Sequence, residues 1–160
     1  MRGSEMELYA EATVPASAEP EAQADALNAA IRELLGQSQR SPDRIIAALD
    51  GDLASLRVVD LPAGVLKKVA EVLPGELEAM LPFELDESVV DYQIVDRDDT
   101  TLHVMAVAAP KTQVEKRLAE LNAAGVDPGE LGVGAAVFEG LAQLLPEPMQ
   151  QETLLIIDIG

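Results

Sequence analysis

Residues 5–14, "EMELYAEATV", alternate strictly, with Met6, Leu8, Ala10 and Ala12 on one side and Glu5, Glu7, Tyr9 and Glu11 on the other. A period of two predicts a half-buried strand. The stretch "PASAEPEAQ" that follows suits a solvated loop. The period then lengthens: Ala26, Leu27, Ala30, Ile31 and Leu34 recur at helical spacing between Ala22 and Leu35, and Gly36 stands where a cap is expected. After a second loop, "GQSQRSPD", the segments "RIIAALDG" and "SLRVVDLP" predict two short strands around a turn at Asp50, Gly51 and Asp52.

The texture changes at Leu61 and Pro62. Residues 63–73 predict a helix with Val65, Leu66, Val69 and Leu73 on one stripe and Lys67, Lys68 and Glu71 outside it. Pro74 lacks an amide hydrogen and should start a new turn or kink the helix, while Leu77, Met80 and Leu81 extend the apolar face. "SVVDYQIVD" and "TLHVMAVAA" predict strands joined by a hairpin at "RDDT". Thr112 is placed to cap a helix running to Leu121, with Glu115 at the capping-box position and Val114, Leu118 and Leu121 inward. "AAGVDPG" ends that helix, and "ELGVGAAVFEGLAQLL" predicts a short strand turning into another. The chain closes on "LLIIDIG", a buried strand that carries Asp158 to a glycine turn at Gly160.

The order of elements is that of a mixed α/β (α+β) protein. Residues 62–128 read helix, strand, strand, helix, a unit small enough to be an insertion. The flanks, residues 1–61 and 129–160, are then the two parts of one discontinuous domain.

Composition narrows the function. In 160 residues there are 11 basic and 29 acidic side chains, a net charge of −18. A field of that sign repels phosphate backbones and anionic lipid, so no nucleic-acid partner is expected and a basic protein segment is the natural one. Two Tyr, two Phe and no Trp leave little stacking surface for bases or flat cofactors. The absence of Cys excludes disulfides and thiolate metal sites and fits a reducing compartment. No run approaches the roughly 20 apolar residues of a membrane span, so no direct membrane insertion is expected.

Catalytic vocabulary is thin. His103 is the one histidine, and alternation puts it with Met105 and Val107 on one face of its strand, a structural setting. With one His and no Cys a transition-metal site is not expected, an oxygen-only Mg²⁺ site stays open, and no metal site is assigned. Glu76, Glu78, Glu84, Asp86, Glu87 and Asp91 form an acidic run, but residues two apart do not share a helical face, and the run reads as a solvated rim. Asp96, Asp98 and Asp99 resemble the start of an EF-hand loop whose glycine and closing glutamate are missing, which leaves a hairpin turn. Asp158 at a strand end could coordinate Mg²⁺ through water while the next backbone amides hold phosphate.

Residues 72–96, "VLPGELEAMLPFELDESVVDYQIVD", resemble the PilM family of type IV pilus assembly and its relatives, the cytoplasmic domains of GspL in type II secretion. The resemblance rests on Glu76-Leu77-Glu78, on Leu81-Pro82-Phe83, and on Asp91-Tyr92-Gln93 opening a strand. "HVMAVAAPKTQVEKRLAELNAAGVDPGEL" is similar to that family's strand, helix and Ala-Gly turn, and "LLIIDIG" to the entry of its second phosphate loop. The family is actin-like and related to the division protein FtsA. The resemblance implies a partial actin-like (ribonuclease H-like) subdomain 1A interrupted by a small 1C insertion, the split drawn at 62 and 128.

The resemblance further implies a non-catalytic scaffold at the inner face of the bacterial inner membrane, in the cytoplasm. Its implied partners are the cytoplasmic segment of an inner-membrane pilus or secretion protein and a secretion or assembly ATPase. Leu81, Pro82, Phe83 and Tyr92 are the candidate partner-binding residues; Asp158 and Gly160 are the remnant of a nucleotide and Mg²⁺ site. The family's first phosphate motif and second half are missing, so the chain is expected to be a piece of a larger protein and to hold no cofactor, although Mg-ATP would suit the full-length protein. An unpaired edge at 5–14 would favour a homodimer. The alternatives are an actin-superfamily ATPase whose site is incomplete here and an acidic adaptor unrelated to actin.

Overall fold

The computed structural model describes residues 9–15, 19–37 and 42–134. Its elements are α1 (Pro20–Gln37), β1 (Ile46–Leu49), β2 (Ser55–Pro62), α2 (Val69–Glu78), β3 (Ser88–Arg97), β4 (Thr101–Pro110), α3 (Lys111–Ala123) and β5 (Glu130–Val133). Three short 3₁₀ segments lie at Gly51–Leu53, Ala63–Lys68 and Leu85–Glu87. The chain divides into two compact units. One takes in Met1–Ala47, Arg117–Gly132 and Ala136–Gly160; the other takes in Ala48–Lys116 and Val133–Ala135.

The second unit is built on a three-stranded antiparallel sheet of order β2-β4-β3. Its hydrophobic core lies on one face of that sheet. Val59 and Leu61 of β2 and Leu102, Val104 and Ala106 of β4 pack with Val69, Leu73 and Leu77 of α2, all at most 7% exposed. The helix presents those residues because they recur every fourth position, one above another on a single stripe. Val65, Val72, Leu81, Val90 and Ile94 border the cluster.

Pro74 lies inside α2 and neither ends it nor shifts its start. It removes one backbone hydrogen bond, and burial of Leu73 and Leu77 on either side of it offsets that loss. The segment before the helix behaves differently. Residues 63–68 wind as 3₁₀, three residues per turn, so the stripe expected from an α-helix slips out of phase. Leu66 accordingly stands 39% exposed.

The hairpin expected at "RDDT" is present, and Asp98 holds it. Its Oδ1 accepts from the backbone amides of Thr100 and Thr101 and from the Thr100 hydroxyl, at 2.7–2.8 Å. Those donors keep the Asp98 carboxyl below its ordinary range, the Thr100 amide contributing most.

Three expectations change. Residues 9–15 carry no regular structure, and the rest of the 5–14 segment lies outside the described residues; a strand needs a neighbour, and among the described residues none pairs with it. β1 and β2 flank the predicted turn but do not pair with each other. β1 joins β5, and β2 joins β4. β2 therefore shares a sheet with β3 and β4, within the unit that takes in Ala48–Lys116 and Val133–Ala135. Finally, α3 begins at Lys111, which puts Thr112 within its first turn instead of at its cap.

Within the first unit, the amide of Gly129 donates to the carbonyl of Ile45 at 3.0 Å, and Arg44 pairs with Glu130. α3 ends in a left-handed glycine, Gly125, at φ 86°.

Candidate functional site

Leu81, Pro82 and Phe83 form the link between α2 and the 3₁₀ turn at Leu85–Glu87. Leu81 is half-buried against the core, so it anchors the link instead of presenting it. Pro82 is exposed and Phe83 is half-buried. Ser88 fixes the far end: its buried hydroxyl donates to the Glu84 carbonyl at 2.8 Å. Tyr92 lies mid-way along β3 opposite Ala106, a core residue, and so belongs to the sheet face that carries α2. It is 38% exposed. Pro82 and Tyr92 are therefore available to a partner, while Leu81 has a structural task. Asp158 and Gly160 lie outside the described residues.

The acidic side chains do not converge. Among the described residues no group of three or more His, Cys, Asp or Glu side chains could hold a metal ion. Glu76, Glu78, Glu84, Asp86, Glu87 and Asp91 are all exposed, as a solvated rim requires.

One polar pair that the sequence does not reveal lies on the opposite face of the sheet. His103 of β4 sits across from Asp60 of β2 and Asp96 of β3. Its Nδ1–H donates to Asp60 Oδ1 at 2.7 Å. Forty-three residues separate the two, and only the strand register brings them together. The hydrogen bond from Asp60 raises the His103 pKa most; burial works against it, and the charges of Asp60, Asp96 and Asp98 add to the rise. Because the folded-state pKa lies above the unfolded value of 6.5, the pair stabilises the fold fully below that value. The contribution is lost as pH rises through the folded pKa. His103→Gln should therefore destabilise the chain in urea at mildly acidic pH and converge on the parent at alkaline pH. A gap that stays constant between the two conditions would count against the pair.

A family comparison bears on the reading of this chain. The family model for the type IV pilus assembly protein PilM matches residues 2–160. The chain belongs to the PilM family. Among solved structures, the PilM-PilN type IV pilus biogenesis complex is similar at 28% identity and a TM-score of 0.62, over 76% of this chain and 38% of that one. The cytoplasmic domain of EpsL, an inner membrane component of the type II secretion system of Vibrio cholerae, is similar at 19% identity and a TM-score of 0.55. That match covers 78% of this chain and 46% of EpsL's. At that identity EpsL supports the fold alone. The chain thus spans under half the length of both structures. No curated protein sequence matches it.

The PilM family reading fixes the fold class as actin-like α/β, in agreement with the family resemblance of residues 72–96. The family is that of a type IV pilus assembly protein. Among the described residues no helix is long and apolar enough to cross a membrane.

Proposed function

We propose that this PilM-family chain is a non-catalytic interaction module that binds the cytoplasmic segment of an inner-membrane pilus or secretion protein, at the inner face of the membrane. The observation that supports this most is its 28% identity to a chain of the PilM-PilN type IV pilus biogenesis complex, with a TM-score of 0.62. The described surface fits the role: an exposed Pro82 and Tyr92 beside a half-buried Phe83. An assembly ATPase and a second copy of the chain are further partners within the same reading.

Calorimetry of the chain against the cytoplasmic segment of a PilN-type protein from the same genome tests it. Saturable binding is expected. Tyr92→Ala should weaken it while circular dichroism stays unchanged. Phe83→Ala separates two roles: lost folding makes Phe83 a core residue, and lost binding with intact folding makes it a contact. No binding by the well-folded chain would overturn the proposal. A clear titration with Mg-ATP would favour the nucleotide-binding reading instead.

A further inference from the structure

The sheet of the second unit has two faces, and only one is covered by α2. On the other, the register sets out three rows across β2, β4 and β3: Leu56, Val107 and Asp91; Val58, Met105 and Gln93; Asp60, His103 and Asp96. Four aliphatic or thioether side chains thus lie together on β2 and β4. Leu56, Met105 and Val107 are half-buried, and Val58 is 60% exposed. Acids border them along β3 and at the hairpin end.

Charge is segregated between the faces. Arg57 pairs with Ala106 and Arg97 with Leu102, which assigns both to the face carrying α2. The outward positions of β2, β3 and β4 bear no Lys or Arg at all. Their one basic group, His103, is already bonded to Asp60. Three strands at about 4.8 Å spacing make a platform about 10 Å wide, the breadth of one α-helix.

We infer that this open sheet face is a second docking surface, separate from the partner site around Phe83 and Tyr92, and that it takes an amphipathic helix of another protein whose apolar stripe is flanked by Lys or Arg. The apolar rows would bury against the stripe, and Asp91 and Asp96 would meet the basic flank. A second copy of this chain suits the face poorly. A two-fold contact through it would set acids against acids between molecules each carrying −18. Anionic lipid is repelled by the same groups.

The probe is a synthetic helical Leu/Lys peptide of about five turns, compared with its Leu/Glu counterpart. Both are titrated into the full ¹⁵N-labelled chain at near-physiological salt. The Leu/Lys peptide is expected to bind, with the amide shifts centred on Val58, Met105 and Gln93, and the Leu/Glu peptide is expected not to. Val58→Ser should weaken binding about tenfold, the loss of a central apolar contact. Asp91→Asn with Asp96→Asn should weaken it and flatten its salt dependence. Two variants that leave this face alone, Glu71→Gln and Tyr92→Ala, should change neither.

Equal weakening by Glu71→Gln would overturn the inference, since the peptide would then be following net charge alone. Shifts centred on Pro82, Phe83 and Tyr92 would overturn it as well, as would concentration-dependent self-association abolished by Val58→Ser. Retained binding of the PilN-type segment by Val58→Ser is expected, so failure of either site leaves the other's result readable.

Discussion

Leu73→Ala is expected to cost about 3 kcal/mol of stability, enough to unfold a large fraction of the second unit in mild urea. Leu73 is 1% exposed and sits at the middle of the α2 stripe, between Val69 and Leu77. Removing its isobutyl group takes away buried apolar area and leaves a space that the surrounding side chains fill only in part. The lining is Val, Leu and Ala from two strands whose register is fixed by backbone hydrogen bonds, so collapse is resisted from the sheet side. The core is also small. Among the described residues eight buried side chains form it, and a unit of this size has only a few kcal/mol in hand. Urea unfolding of the full chain followed by circular dichroism measures the loss. Glu78→Ala, an exposed position at the end of the same helix, should stay within about 0.5 kcal/mol of the parent. A Leu73→Ala cost below about 1 kcal/mol would show that α2 is not what closes this core.

The middle of the fold was legible because its signals are local. Alternation in "TLHVMAVAA" assigns Leu102, Val104 and Ala106 to one face and His103, Met105 and Val107 to the other, and the structure places them so. The "RDDT" hairpin follows from Asp98, whose side chain accepts from Thr100 and Thr101 while its amide donates to the Thr101 carbonyl. What escaped the sequence depends on partners far along the chain. β2 pairs with β4 across 39 to 53 residues, and the Asp60–His103 bond is a consequence of that register. Periodicity assumes an α-helix from residue 63, and the 3₁₀ segment breaks the assumption by a phase error that places Leu66 outside. Among the candidate contacts, Leu81 packs at the border of the core, as its place on the apolar face of Leu77 and Met80 suggests, while Pro82 next to it stands exposed.

Gly125 and Gly36 test whether a glycine's role can be told from its backbone. Both sit at the end of a helical pattern, and both resemble caps in the sequence. Gly125 is one. The amide of Val126 bonds to the Leu121 carbonyl and that of Gly125 to the Asn122 carbonyl, each at 2.9 Å. This is the double bond pattern of a Schellman end, which requires the left-handed conformation at Gly125. Val126, 4% exposed, closes the motif as its apolar partner, and the free carbonyl of Ala123 accepts from Arg32 Nη2 at 2.9 Å. Gly36 instead lies inside α1, which runs to Gln37, and its φ is not positive. A Cβ added at either position meets nothing within 4 Å, so sterics with neighbours do not enter and only the backbone speaks. Gly125→Ala should therefore destabilise the chain by about 1–2 kcal/mol, the cost of holding an L-residue left-handed. Gly36→Ala should stabilise it by up to about 1 kcal/mol, because alanine loses less backbone freedom in a helix. Thermal unfolding of the two variants beside the parent measures both signs, and Gly125→Asn should fall between Gly125→Ala and the parent because asparagine tolerates the left-handed region. Equal shifts for the two alanine variants would mean that α3 does not end as the hydrogen bonds indicate.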